Sequence, residues 1–160
     1  ELADLPKRWI HEPFAAPGNM LEKITAFAKD TDQPVPETPG QFVRCCLESL
    51  ALTYRETLHT LAELTGRSFD VLHIVGGGGQ NQLLNQLTAD AIERPVIVGP
   101  FEATAVGYAL TQAVGRGDLA DLAALRQVVR DSFELSTCEP GPGSAALAKQ
   151  ADRFAQITGA

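Results

Sequence analysis

Residues 69–75, Phe-Asp-Val-Leu-His-Ile-Val, run straight into Gly76-Gly77-Gly78-Gly79-Gln80-Asn81, and helical spacing then resumes through Leu83, Leu84, Leu87 and Ala91. The first stretch is β-branched and apolar with little alternation, which predicts a strand covered on both faces. His73 within it is then a satisfied core imidazole. Residues 80–92 predict a helix. A strand, four glycines and a helix in immediate succession leave little choice of architecture, because the chain must turn at a strand end with no Cβ on the turn. Glycine reaches positive φ cheaply and lets backbone approach a ligand. The helix start adds unpaired N–H groups and the positive end of a dipole. Together these favour a bound phosphate or nucleotide. The competing reading is a turn built only for close packing. Four glycines are extravagant for that, since each costs roughly 0.5–1 kcal/mol of backbone entropy.

The dinucleotide fingerprint G-x-G-x-x-G needs glycine at position 81, where Asn81 stands. The P-loop pattern needs Gly-Lys-Ser/Thr, which is absent. Asn81 is the second candidate. Its amide can donate and accept, which suits an adenine edge or a ribose hydroxyl, and equally suits local capping of the helix.

The surrounding spacing predicts an α/β chain with no internal domain boundary. Residues 1–18 carry Pro6, Pro13 and Pro17 around Trp9 and Phe14, the pattern of an extended segment pinned to a surface. Asn19 caps a helix over residues 20–29 with the stripe Leu21, Ile24, Phe27 and Ala28. Thr38 and Pro39 open a long helix to about residue 64, stopped by Gly66. Its stripe is Phe42, Val43, Cys46, Leu47, Leu50, Tyr54, Leu58, Leu61 and Ala62. A short strand at 95–99 precedes an alanine-rich helix at 102–114, with further helices near 119–129 and 144–157.

Charge excludes some partners. Thirteen basic and 20 acidic residues give a net charge of −7, which disfavours nucleic acid and anionic lipid. No apolar run reaches the length of a membrane span. Cys45, Cys46 and Cys138 form a poor disulfide framework and show no zinc spacing, so they read as reduced, partly buried thiols of a cytoplasmic protein. His11-Glu12 lacks the second histidine of H-E-x-x-H, and His11 and His59 read as surface residues. Asp70 and Asp90 read as solvated or structural. The chain opens on Glu1-Leu2-Ala3-Asp4, without signal-peptide character or an initiating Met, as suits a piece of a longer protein.

Residues 73–81 and 83–90, with 44–55 upstream and 94–107 downstream, resemble the C-terminal domain of the FGGY carbohydrate kinases. The resemblance extends from about Phe14 to the end and is weaker in the last helices. It implies part of a ribonuclease H-like domain of the actin, Hsp70 and sugar-kinase type, with ATP and Mg²⁺ bound in a cleft between two such domains. It implies that Gly77 contacts the nucleotide, that Gly76 and Gly78 flank it, and that Asn81 lies where related kinases place an adenine-contacting Asn. Glu102, Ala103, Thr104 and Gly107 match a segment that packs the following helix under the nucleotide loop. The family's general base, an Asp at the start of the C-terminal domain, its sugar-binding residues and a further set of ATP contacts all match positions upstream of these 160 residues. The partners implied are ATP or ADP and a ketose. The alternatives are another sugar specificity within the family and a non-catalytic nucleotide-binding module of the same fold. Oligomeric state stays open.

Overall fold

Thr38 and Gln41 start the longest element. The Thr38 hydroxyl accepts from Gln41 N and the Gln41 side chain accepts in return from Thr38 N, with Pro39 at the first helical position. Such a reciprocal cap satisfies donors that a helix start otherwise leaves open. In the computed structural model, which describes residues 12–158, the resulting helix α3 (Pro39–Thr65) ends on left-handed Gly66. Two short helices precede it, α1 (Glu12–Ala15) and α2 (Met20–Asp30). Asn19 caps α2 from its N-terminus, and Phe14 packs edge-on against Phe27 with ring centroids 5.2 Å apart. The extended segment expected over 1–18 is therefore helical at its inner end. Residues 1–11, with His11 and Trp9, lie outside the described residues.

After α3 the order is β1 (Leu72–Ile74), a 3-10 turn (Gly77–Gln80), α4 (Gln82–Ile92), β2 (Val96–Val98), α5 (Ala103–Arg116), α6 (Leu122–Ser132), β3 (Ser136–Cys138) and α7 (Ser144–Thr158). The sheet order is β1-β2-β3. Strands β1 and β2 are parallel, with Leu72 opposite Val96, and β3 adds antiparallel, with Val96 opposite Cys138.

Helix α4 is the hub. One of its faces joins Ala51 and Leu52 of α3 to Leu147 and Ala151 of α7 through Leu87 and Ala91. The other lays Ala89 and Ile92, with Leu58 of α3, against Val96 and Val98 of β2. Leu72, Ile74 and Cys138 complete that cluster. Arg55 of α3 donates to Ala91 O at 2.5 Å and pairs with Glu93, placing a cation at the negative end of α4.

Several expectations are corrected. Strand β1 is three residues long and is not covered on both faces. His73 and Val75 are exposed, so His73 is no core imidazole. Pleating sends His73, Ile97 and Thr137 to the face away from α4, where His73 and Thr137 are open to solvent. On α3, Val43, Cys46, Leu50, Tyr54 and Leu61 are exposed while Ala51 and Leu52 are buried. On α2, Leu21 is exposed whereas Ile24 and Ala28 are buried. Strand β3 was invisible to pattern reading, since Ser-Thr-Cys has no apolar alternation. His59 and Asp70 are exposed, as read from sequence. Cys45, Cys46 and Cys138 are free thiols, with Cys46 exposed. Burial pushes the Cys45 thiol pKa up, and neighbouring Cys46 adds to the shift. Among the described residues, no helix is long and apolar enough to cross a membrane.

Candidate functional site

The four glycines divide into two kinds. Gly76 has φ +79° and donates its N–H to Pro100 O at 3.1 Å. Gly79 is buried, and a Cβ there would stand 2.8 Å from Val98 Cγ1 and 3.2 Å from Phe101 Cε1. The fold itself requires glycine at these two positions, for backbone conformation at the first and close packing at the second.

Gly77 and Gly78 are different. Both are exposed, neither has positive φ, and a Cβ on either would meet nothing within 4 Å. Their N–H groups bond to no described residue. Nothing in the packing of the described residues calls for glycine here. A pair of open amides without side chains is what an anion or a nucleotide needs for close approach.

Helix α4 begins two residues later than the Gln80 start that the spacing predicts. The glycines wind into the 3-10 turn, closed by Gly79 N to Gly76 O at 3.1 Å and Asn81 N to Gly78 O at 3.3 Å. The helix starts at Gln82, and Asn81 is its cap, its Oδ1 accepting from Leu84 N at 3.0 Å. Of the two uses open to this amide, capping consumes the acceptor. The exposed Nδ2 donates to no described residue and is what remains for a ligand. Gly76, Gly77, Gly78 and Asn81 thus stand on one continuous turn, with Gly76 anchored, Gly77 and Gly78 open, and Asn81 capping.

What lies beneath the loop is Phe101, with Val98. The segment expected to pack the following helix there behaves otherwise. Glu102 and Thr104 are exposed, α5 has no buried residue, and it packs chiefly on α6.

Asn85 is the residue that sequence reasoning missed. It is 2% exposed, and its Nδ2 donates to Gly79 O at 2.7 Å. Its Oδ1 is buried with no hydrogen-bond partner among the described residues, a burial that costs about 1–3 kcal/mol. The available signal was a polar residue one turn after Asn81 in a helix otherwise rich in Leu and Ala. Asp90, by contrast, is structural: it is buried and accepts from Gly141 N at 2.7 Å and Gln86 Nε2 at 3.0 Å. The described residues hold no group of three or more His, Cys, Asp or Glu side chains placed to ligate a metal.

The sequence profile of the FGGY family of carbohydrate kinases, C-terminal domain, matches residues 11–116. A rhamnulokinase of Bacteroides thetaiotaomicron is 48% identical over 127 residues, covering 79% of this chain and 26% of its own length. One from Enterococcus faecalis is 43% identical over 136 residues, covering 83% and 28%. One from Klebsiella pneumoniae is 46% identical over 131 residues, covering 82% and 27%. The chain thus spans about a quarter of the length of these curated relatives. In the crystal structure of xylulose kinase from Rhodospirillum rubrum, a region 23% identical superposes with a TM-score of 0.59, covering 79% of this chain and 25% of that one. That likeness shows a shared fold.

Proposed function

The chain belongs to the FGGY family of carbohydrate kinases, and from that premise we propose that it is the nucleotide-binding part of a cytoplasmic, rhamnose-metabolising kinase that phosphorylates L-rhamnulose with Mg²⁺–ATP. The observation that carries the nucleotide reading is the pair Gly77 and Gly78, open on the side where a Cβ would stand and with both amides unused among the described residues. Identities of 43–48% to curated rhamnulokinases favour this sugar over other ketoses.

Bound Mg²⁺–ATP supplies the γ-phosphoryl group and offsets the charge that develops as it transfers. The part of this chain is to hold the nucleotide. Amides 77 and 78 face its anionic portion, and Asn81 Nδ2 is the donor left for a ring or ribose acceptor. In the intact protein, the sugar's primary hydroxyl gives its proton to an Asp outside these 160 residues. Its oxygen then bonds to the γ-phosphorus as the bond to the ADP oxygen breaks, giving L-rhamnulose 1-phosphate and ADP. The sugar-binding domain likewise belongs to the portion outside this sequence.

Gly77→Val in the full-length protein tests the loop. A Cβ at position 77 meets nothing within 4 Å among the described residues, so the valine branch is placed in the space the nucleotide would use. ATP binding by calorimetry should disappear, while the melting temperature stays within about 2 °C of the parent, as befits a substitution that disturbs no core contact. Unchanged ATP affinity removes the loop from the nucleotide site. A panel of ketoses at matched ATP tests the sugar assignment, and a preference for another ketose overturns it.

A further inference from the structure

We propose that Asn85 is a positioning residue for the nucleotide loop, acting through the carbonyl of Gly79; the proposal rests on reading that loop as the ATP site. The open span Gly77-Gly78 hangs between two fixed points. The upstream point is Gly76, tied by its N–H to Pro100 O at 3.1 Å. The downstream point is Gly79, wedged against Val98 and Phe101. Only one side-chain hydrogen bond reaches the glycines among the described residues, and it is Asn85 Nδ2 to Gly79 O at 2.7 Å.

That bond has a directional consequence. A peptide between flexible residues reorients cheaply when glycine is one of them. Held by Asn85, the Gly79 carbonyl oxygen faces the interior of the protein. Released, it is free to swing toward the open side of the turn, where its partial negative charge would oppose the nucleotide's phosphates.

The state of the rest of the side chain points to the same role. Asn85 Oδ1 is buried with no hydrogen-bond partner among the described residues, so the residue sits there at a cost to stability that an apolar side chain of similar size would avoid. Packing alone does not account for an asparagine at this position. The bond it makes to the loop does.

The test uses the full-length protein and compares Asn85→Leu, Gly77→Val and Leu87→Ala, reading melting temperature, ATP affinity by calorimetry, and kcat and KM for both substrates. Asn85→Leu removes the donor and the orphaned acceptor while keeping the volume. The expected result is a melting temperature equal to or above the parent's, with ATP affinity and KM for ATP weakened by about tenfold, equivalent to the loss of one well-placed interaction. KM for the sugar and kcat at saturating ATP stay close to the parent. Leu87→Ala, a core change on the same helix, lowers the melting temperature and leaves ATP affinity near the parent's.

Parental ATP affinity in Asn85→Leu, beside a loss in Gly77→Val, overturns the positioning role alone. Parental affinity in Gly77→Val overturns the loop reading and the positioning role together. Equal loss of affinity in Leu87→Ala and Asn85→Leu assigns the effect to packing and overturns the proposal. Asn85→Ala, which removes the same donor with less bulk, carries the identical comparison should leucine not be accommodated.

Discussion

A Cβ at position 79 and a Cβ at position 78 meet opposite surroundings one residue apart. At 79 it falls 2.8 Å from Val98 Cγ1, which core packing does not tolerate. Gly79→Ala should therefore destabilise the protein by about 1–3 kcal/mol, read from urea unfolding. At 78 there is open space and no positive φ. Gly78→Ala should be neutral or stabilising by up to about 1 kcal/mol, because alanine restricts the unfolded chain. In the full-length protein it should nonetheless weaken ATP binding. A Gly78→Ala protein as unstable as Gly79→Ala would mean that the loop glycines serve packing. The sequence shows four equivalent letters here, and only the third dimension separates the two that the fold needs from the two that it leaves free. Asn81 is a related case. Its residue type offers capping and ligand contact equally, and the position of Leu84 N decides which atom is already engaged.

At the scale of elements, helix starts were legible and the buried face of α3 was not. Asn19, Thr38 with Gln41, and Gly66 act within a turn of the positions they mark, so a short window of sequence contains their physics. The buried face of α3 depends on neighbours distant along the chain. Apolar residues occupy two of its sides, and α4 and α7 cover the one with Ala51 and Leu52, leaving Val43, Leu50, Tyr54 and Leu61 exposed. Spacing alone cannot rank two apolar faces. The contact between α4 and α7 is similarly remote. Asp90 accepts from Gly141 N and stands so close to Gly143 that a Cβ there would lie 2.4 Å from its Oδ2. Asp90→Ala leaves the Gly141 N–H without its acceptor and opens a void beside α7. It should cost about 1.5–3 kcal/mol, the range for losing hydrogen bonds to a charged group, measured by chemical denaturation. A loss below that range would show the turn reforming its bonds with solvent.

For the whole molecule, what the described residues leave uncovered is as informative as what they bury. His73 and Thr137 lie open on the sheet face away from α4, and an apolar stripe on α3 is bare. The chain spans about a quarter of the length of its curated relatives. Phosphoryl transfer is mostly a matter of positioning and charge stabilisation, and on the proposed reading this chain supplies one wall of the site. The purified 160-residue chain should therefore show no ATP-dependent phosphorylation of L-rhamnulose in a coupled ADP assay, whereas the full-length protein should. Turnover by the isolated chain would place the proton acceptor within it. The sequence by itself determined the family, the order of helices and strands from α2 through α5, and the location of the glycine turn, because caps, turn residues and periodicity act over a few neighbouring positions. Tertiary structure alone decided which glycines are structural, that His73 is exposed, that β3 joins the sheet, and that Asn85 reaches back to the loop. Each of those depends on which distant surfaces meet, and a one-dimensional pattern does not carry that information.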